Sequence, residues 1–169
     1  MAMPSAARIS NEEFKPVMRR FAACVNVITS VDGETKNGMT ATAVCSVSAD
    51  PPSVLIIVNK SSRSHALISR SQAFGVNVLS SEQEDIASHF ASKSADPFAE
   101  IDHWIGRTGC PIICDADAYL ECSVVKETDF GTHTIFIGQI VSCDVSSKPP
   151  LLYHEGRFCG LQQAQLEYA

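Results

Sequence analysis

GMTATAVCSVSADPPSVLIIV, residues 38–58, is the stretch on which the reading of this chain turns. Its first half alternates with period two, the repeat of a half-buried strand. Thr40, Thr42, Ser46 and Ser48 fall on one face with Val44 among them, and Met39, Ala41, Ala43, Cys45 and Val47 fall on the other. A face of hydroxyls backed by small residues lets a flat ligand lie close to the backbone and still find hydrogen-bond partners. The run Ala49-Asp50-Pro51-Pro52 then turns the chain, because two prolines cannot continue a central strand. Residues 54–58 form an apolar run of buried-strand length that ends in Asn59-Lys60-Ser61-Ser62-Arg63-Ser64. A cation and several hydroxyls in one loop suit a phosphate. The plainer alternative is an antiparallel hairpin with a solvated Ser/Thr face and a polar loop, since Thr and Ser are ordinary edge-strand residues.

Working outward, residues 11–24 read as a helix. Ser10 or Asn11 caps it, Glu12 and Glu13 suit its first turn, Pro16 sits early, and Phe14, Val17, Met18 and Phe21 recur at helical spacing. Residues 25–31 are strand-like and lead through Asp32-Gly33 to the central stretch. Beyond the polar loop, Ser64 is placed to cap a short helix through Ala66, Leu67 and Ile68, and residues 74–79 read as a strand. Ser81-Glu82-Gln83-Glu84 has the pattern of a capping box, with Ile86 and Phe90 on one helix face after it. Residues 93–109 are irregular and carry the single tryptophan, Trp104; a loop of that length in a small domain suits a lid or a partner surface. Residues 119–126, 134–145 and 151–158 read as three further strands. Many short strands with a few helices predict a mainly β (α+β) fold, a small antiparallel barrel rather than alternating βαβ units.

Composition limits the function classes. At 169 residues the chain has the size of one domain and can bury a real core; residues 14–160 are expected to form it. Thirteen Lys and Arg against nineteen Asp and Glu give a net charge of −6, which argues against a nucleic-acid partner. The first residues, MAMPSAARISNEEF, hold no apolar core of signal-peptide length, and no run approaches the ~20 apolar residues needed to cross a bilayer, so a cytoplasmic protein with no membrane partner is expected. Seven cysteines include no CxxC pair, and five scattered histidines show no ligand spacing, so no metal site is expected. The sequence has no G-x-G-x-x-G after a strand, no phosphate-loop G-x-x-x-x-G-K-[ST], no G-x-S-x-G and no H-E-x-x-H. Hard chemistry would have to come from a cofactor.

Three separated motifs, GMTATAVCSVSADPP, FGVNVLSSEQ and FGTHTIFIGQI, together resemble the short flavin reductases with the FMN-binding split-barrel fold. The resemblance is to the reductase components of two-component flavin monooxygenases, of the 4-hydroxyphenylacetate 3-monooxygenase type, and covers residues 14–158. It implies a six-stranded antiparallel split barrel of Greek-key type with a few flanking helices. It also implies reduction of FMN, or of FAD, by NADH or NADPH, with a homodimer as the working form and a flavin-dependent monooxygenase receiving the reduced flavin. Thr40, Ala41 and Thr42 match positions whose backbone and hydroxyls contact the flavin ring and ribityl chain. Cys45 and Ser46 match the segment beside the ring edge where hydride arrives. Asn59, Lys60, Ser61, Ser62 and Ser64 match the phosphate loop. His133 matches the histidine that borders the nicotinamide side, and its bland alternative is a strand-end histidine satisfied by backbone. Arg157 is a candidate to orient a nucleotide phosphate, with a surface ion pair as its alternative, and Glu155-Gly156 and Cys159 depart from the more basic ending of the relatives. Two rival functions remain open: an electron carrier that keeps its FMN, and a split-barrel oxidase acting on a small molecule in the manner of pyridoxamine-phosphate oxidase.

Overall fold

The computed structural model describes residues 9–161; the reading of residues 1–8 as free of a signal-peptide core lies outside them. In chain order the elements are α1 (Asn11–Met18), β1 (Ala23–Cys24), β2 (Asn26–Asp32), β3 (Thr35–Ala41), β4 (Val44–Ala49), β5 (Pro52–Asn59), α2 (Arg63–Ser71), β6 (Ala73–Val78), α3 (Glu84–Ala91), β7 (His103–Ile105), β8 (Pro111–Ile113), β9 (Ala118–Phe130), β10 (His133–Val145), β11 (Leu152–His154) and β12 (Arg157–Cys159). The fold is mainly β, with antiparallel pairing between the named strands and three helices.

The central stretch folds as two strands meeting at a corner. β3 pairs with β2, placing Thr40 opposite Val27, whereas β4 pairs with β5, placing Val44 opposite Ile56. Thr42 and Ala43 lie between, and the Val44 N–H donates to the Thr42 carbonyl at 3.0 Å, which closes the corner. The main sheet runs β3-β2-β6-β9-β10-β5-β4. Its two end strands are therefore joined by two residues, and the sheet curls until its edges meet at that point. The expected six-stranded split barrel is corrected in its count: the main sheet has seven strands in an open hydrogen-bond order. The period-two reading treated residues 39–48 as one arm, and it could not see the change of partner at Thr42. A bulge between Ser46 and Ser48 breaks the alternation again, and from Cys45 to Ala49 β4 lies exposed.

Inside the curl, Ile28, Ile56, Ile68, Phe74, Val76 and Phe136 are fully buried, each worth roughly 1.5–3 kcal/mol of transfer free energy. A second cluster, including Val25, Val27, Ala87, Phe90, Phe98 and Leu151, fixes α3 against the outside of β2 and β3. Gly38 makes that docking possible: a Cβ there would stand 2.5 Å from the Phe90 ring.

Other expectations shift at element ends. α1 stops at Met18 and has a capping box between Ser10 and Glu13, but buries none of its residues. The N-cap of α2 is Ser62, whose hydroxyl accepts from the His65 N–H, and Ser64 lies inside the helix. The capping box expected at Ser81 is absent, because Gln83 spends its amide on the Ser80 N–H and the Cys114 carbonyl. Residues 151–158 form a hairpin rather than one strand, since Glu155 and Gly156 adopt positive φ and turn the chain between β11 and β12.

Candidate functional site

Thr40, Ala41 and Thr42 line an open cavity of about 610 Å³, together with Ser88 and Ala91 of α3, Ser92 just past its end, and Tyr153, Gly156 and Phe158 of the C-terminal hairpin. Three stretches far apart in sequence converge there, and each has a local reason for its place. The Gly38–Phe90 contact sets α3 beside β3, and the Thr40 hydroxyl donates to the Ala87 carbonyl at 2.6 Å. Thr40 therefore serves to hold α3, and its hydroxyl is committed. β11 pairs with β1, the Glu155 N–H donates to the Arg19 carbonyl, and Arg20 pairs with Glu155, so the hairpin is fastened over the cavity at both ends. Tyr153 and Phe158 meet edge to face at 5.5 Å within it. A second groove of about 520 Å³ shares Thr42 and Tyr153 with the first and runs along Phe14, Met18 and Phe21.

The polar loop after β5 is ordered by its own side chains. The Asn59 carboxamide oxygen accepts from the Ser61 N–H at 2.9 Å and from the Ser61 hydroxyl at 2.8 Å, forming an Asx turn. Ser64 is fully buried and accepts from the Asn37 amide at 2.7 Å, so its hydroxyl faces inward, away from the loop surface. Lys60 is not free: its ammonium stands 2.9 Å from Asp129. The other Asp129 oxygen accepts from the Thr134 hydroxyl at 2.6 Å, and His65 Nε2 lies 2.9 Å from that same hydroxyl. Because Thr134 gives its proton to Asp129, His65 must be the donor in its contact with Thr134. The Thr134 hydrogen bond, and next the Lys60 hydrogen bond, hold the Asp129 carboxyl below the usual carboxylate range. Arg63 donates to the carbonyls of Ser94 and Ala95 at 3.0 and 3.3 Å, tying this loop to the segment that leaves the cavity wall at Ser92.

The remaining sequence candidates scatter around these two regions. Cys45 and Ser46 lie exposed on β4, beyond the corner. His133 is half-buried opposite Asn59, and its Nδ1 lies 2.9 Å from the Thr132 hydroxyl. Between them, Ile57 pairs with Ile135 and donates its N–H to the Ala43 carbonyl, so His133 stands two residues along the sheet from the corner. Arg157 is exposed on the hairpin between two cavity-lining residues but does not line the cavity itself. Sequence reasoning missed Ser88, Ala91, Ser92 and Tyr153, which carry no motif and reach the site only through the docking of α3 and β11. It also missed Asp129, which lies near the end of β9. Among the described residues no group of three or more His, Cys, Asp or Glu is placed to hold a metal ion. Burial pushes the Cys122 thiol up to about 12 and the Cys110 thiol upward as well, so both stay protonated in the core.

A family model described as the flavin reductase like domain matches residues 18–162. The chain belongs to this family. It is 35% identical over 150 residues to the reductase component of 4-nitrophenol 4-monooxygenase/4-nitrocatechol 2-monooxygenase from Rhodococcus opacus, covering 89% of this chain and 80% of that one. It is 31% identical over 154 residues to the NADH-dependent FMN reductase of Stutzerimonas stutzeri, covering 90% and 88%. The solved structure of the NADH:FAD oxidoreductase from Streptomyces globisporus superposes with a TM-score of 0.87 at 34% identity, covering 95% of this chain and all of that one.

The cavity of this flavin reductase fits a flavin. Its walls are largely apolar and small where a flat ring must approach the backbone, at Ala41 and Ala91, and Phe158 offers an aromatic edge. Hydroxyls of Thr42, Ser88, Ser92 and Tyr153 ring it as hydrogen-bond partners for a polyhydroxyl chain.

Proposed function

We propose that this protein is an NAD(P)H:flavin oxidoreductase that reduces FMN, or FAD in the same cavity, and supplies the reduced flavin to a flavin-dependent monooxygenase component. The observation that carries the reading is the open, apolar, hydroxyl-rimmed cavity on Thr40–Thr42 in a chain of the flavin reductase family. Relatives named as NADH-dependent reductases and as monooxygenase reductase components support the choice of co-substrate and partner.

Flavin, when bound, supplies the redox chemistry, accepting a hydride from the nicotinamide; the protein supplies position. Ala41 and the Thr42 backbone set how closely the ring can lie on the corner. Ser88 accepts or donates along the chain that leads from ring to phosphate, and Ser92, whose hydroxyl donates to the His89 carbonyl, accepts. The Asn59–Ser62 turn, with Lys60 and Arg63 beside it, receives the phosphate by charge-assisted hydrogen bonds. His133, near the corner but outside the cavity wall, orients the nicotinamide nucleotide, and Arg157 on the hairpin assists with its phosphate. Bringing two rings to about 3–3.5 Å is the main task, so no side-chain nucleophile is required. A homodimer is the proposed working form, supported by exposed Val47, Ile57, Val125, Phe130 and Val141 on β4, β5, β9 and β10.

The test uses the protein freed of flavin by gel filtration. NADH oxidation should be negligible alone and rise saturably as FMN is added back. Flavin that stays bound and is not reduced by NADH would instead identify an electron carrier, and flavin-dependent turnover of pyridoxamine phosphate would identify an oxidase.

A further inference from the structure

We propose that Asp129 sets how loosely the flavin phosphate is held, by keeping the Lys60 ammonium partly neutralised inside the protein. The inference rests on reading the Asn59–Ser62 turn as the seat of that phosphate, and it goes beyond that reading by naming a residue that acts against binding.

Two cations flank the turn, and the structure treats them differently. Among the described residues Arg63 meets only the neutral carbonyls of Ser94 and Ala95, so its charge remains available to an anion. Lys60 has a counter-ion 2.9 Å away. That counter-ion is itself fixed. The buried Thr134, 2% exposed, donates to Asp129 at 2.6 Å, and His65 backs Thr134 from α2, with its ring edge-on to Phe136. A mobile surface aspartate would swing aside at little cost when a phosphate arrived. One anchored from a buried hydroxyl stays, so a phosphate must compete with it for Lys60 or bind beside its negative charge. Either way affinity falls, and it falls only for flavins that carry the phosphate. The pair is partly exposed, with side chains 38% and 66% accessible, so water screens it and the effect is moderate. A moderate loss suits a reductase whose reduced flavin has to depart: it hastens release without emptying the ring cavity, which is built from other residues.

The experiment compares FMN with riboflavin by fluorescence titration in four proteins: the unaltered chain, Asp129→Asn, Lys60→Ala and the double variant. Asparagine keeps an acceptor for Thr134 and removes the charge, so the network survives. Asp129→Asn should tighten FMN about three- to fivefold, slow its dissociation by a similar factor, and leave riboflavin within about twofold. Lys60→Ala should weaken FMN relative to riboflavin, and Asp129→Asn should gain less in that background than in the unaltered chain, because only direct repulsion of the phosphate is left to relieve; equal gains in both backgrounds would show that Asp129 does not act through Lys60. If Lys60→Ala lowers the FMN preference but Asp129→Asn does not raise it, the shielding role is wrong and the phosphate loop stands. If Lys60→Ala changes FMN and riboflavin equally, the loop does not see the phosphate, and the proposal falls with that reading.

Discussion

The proposed ring cavity and the proposed phosphate turn are built in opposite ways. The cavity is assembled from β3, α3 and a C-terminal hairpin, segments that run from Thr40 to Phe158 in sequence, and its lining carries no charged side chain. The turn is almost entirely local: Asn59 orders Ser61, Ser62 caps α2, and Lys60 and Arg63 sit within four residues of Asn59. Among the described residues one carboxylate reaches it from afar, Asp129, opposing one of its cations. On the proposed reading, the non-local, neutral cavity confers shape and the local, charged turn confers affinity that electrostatics can tune. One half of the site should therefore fail through packing and the other through charge.

The largest effect is expected where packing fails. Gly38→Val would drive a side chain into the Phe90 ring and lever α3 off β3, costing ~1–3 kcal/mol of stability. FMN and riboflavin should be lost together, because the wall carrying Ser88 and Ala91 moves. Thermal unfolding and flavin titration check this, and unchanged values in both would show that α3 does not depend on Gly38.

His133 lies at the boundary of the two regions, opposite Asn59 and two residues from the corner. His133→Ala should lower kcat/KM for NAD(P)H about tenfold, ~1.4 kcal/mol of transition-state binding, while FMN affinity stays within a factor of about three. Steady-state assays at saturating FMN beside a titration of FMN alone separate these effects. An equal loss in both would make His133 a flavin ligand and blur the boundary.

The smallest effect is expected in the turn. Ser62→Ala removes the hydroxyl that caps α2, worth about 1 kcal/mol, and lowers the melting temperature by a few degrees. FMN should weaken modestly and riboflavin should not. A riboflavin loss as large as the FMN loss would mean that the cap shapes the cavity as well.

The same contrast explains what could be read from the sequence. Strands β2, β5 and β6 announce themselves as apolar runs between turn residues, and the polar turn after β5 was legible because its chemistry is contiguous. The corner at Thr42 was not, because a change of pairing partner leaves no mark on an unbroken alternation; the count of six strands came from the family resemblance, and the main sheet has seven. Thr40 and Ser64 were expected as hydroxyls facing the flavin and its phosphate. Only tertiary structure shows that one is spent on the Ala87 carbonyl and the other on the Asn37 amide. Ser92 and Tyr153 could not be found by pattern at all, since nothing local distinguishes them from other surface residues. Asp129 illustrates the same limit for charge: its relation to Lys60 depends on the β5–β10–β9 register.

The central claim is that the ring of a flavin rests on the β3 corner, and Ala41→Leu tests it most directly. Leucine fills the space against the cavity floor while leaving the phosphate turn untouched. With folding verified by thermal denaturation, FMN and riboflavin should both weaken by about tenfold or more, and by the same factor, as expected for ~1–3 kcal/mol of overpacking. A folded variant that binds both flavins with unchanged affinity would contradict the account and move the site off this strand.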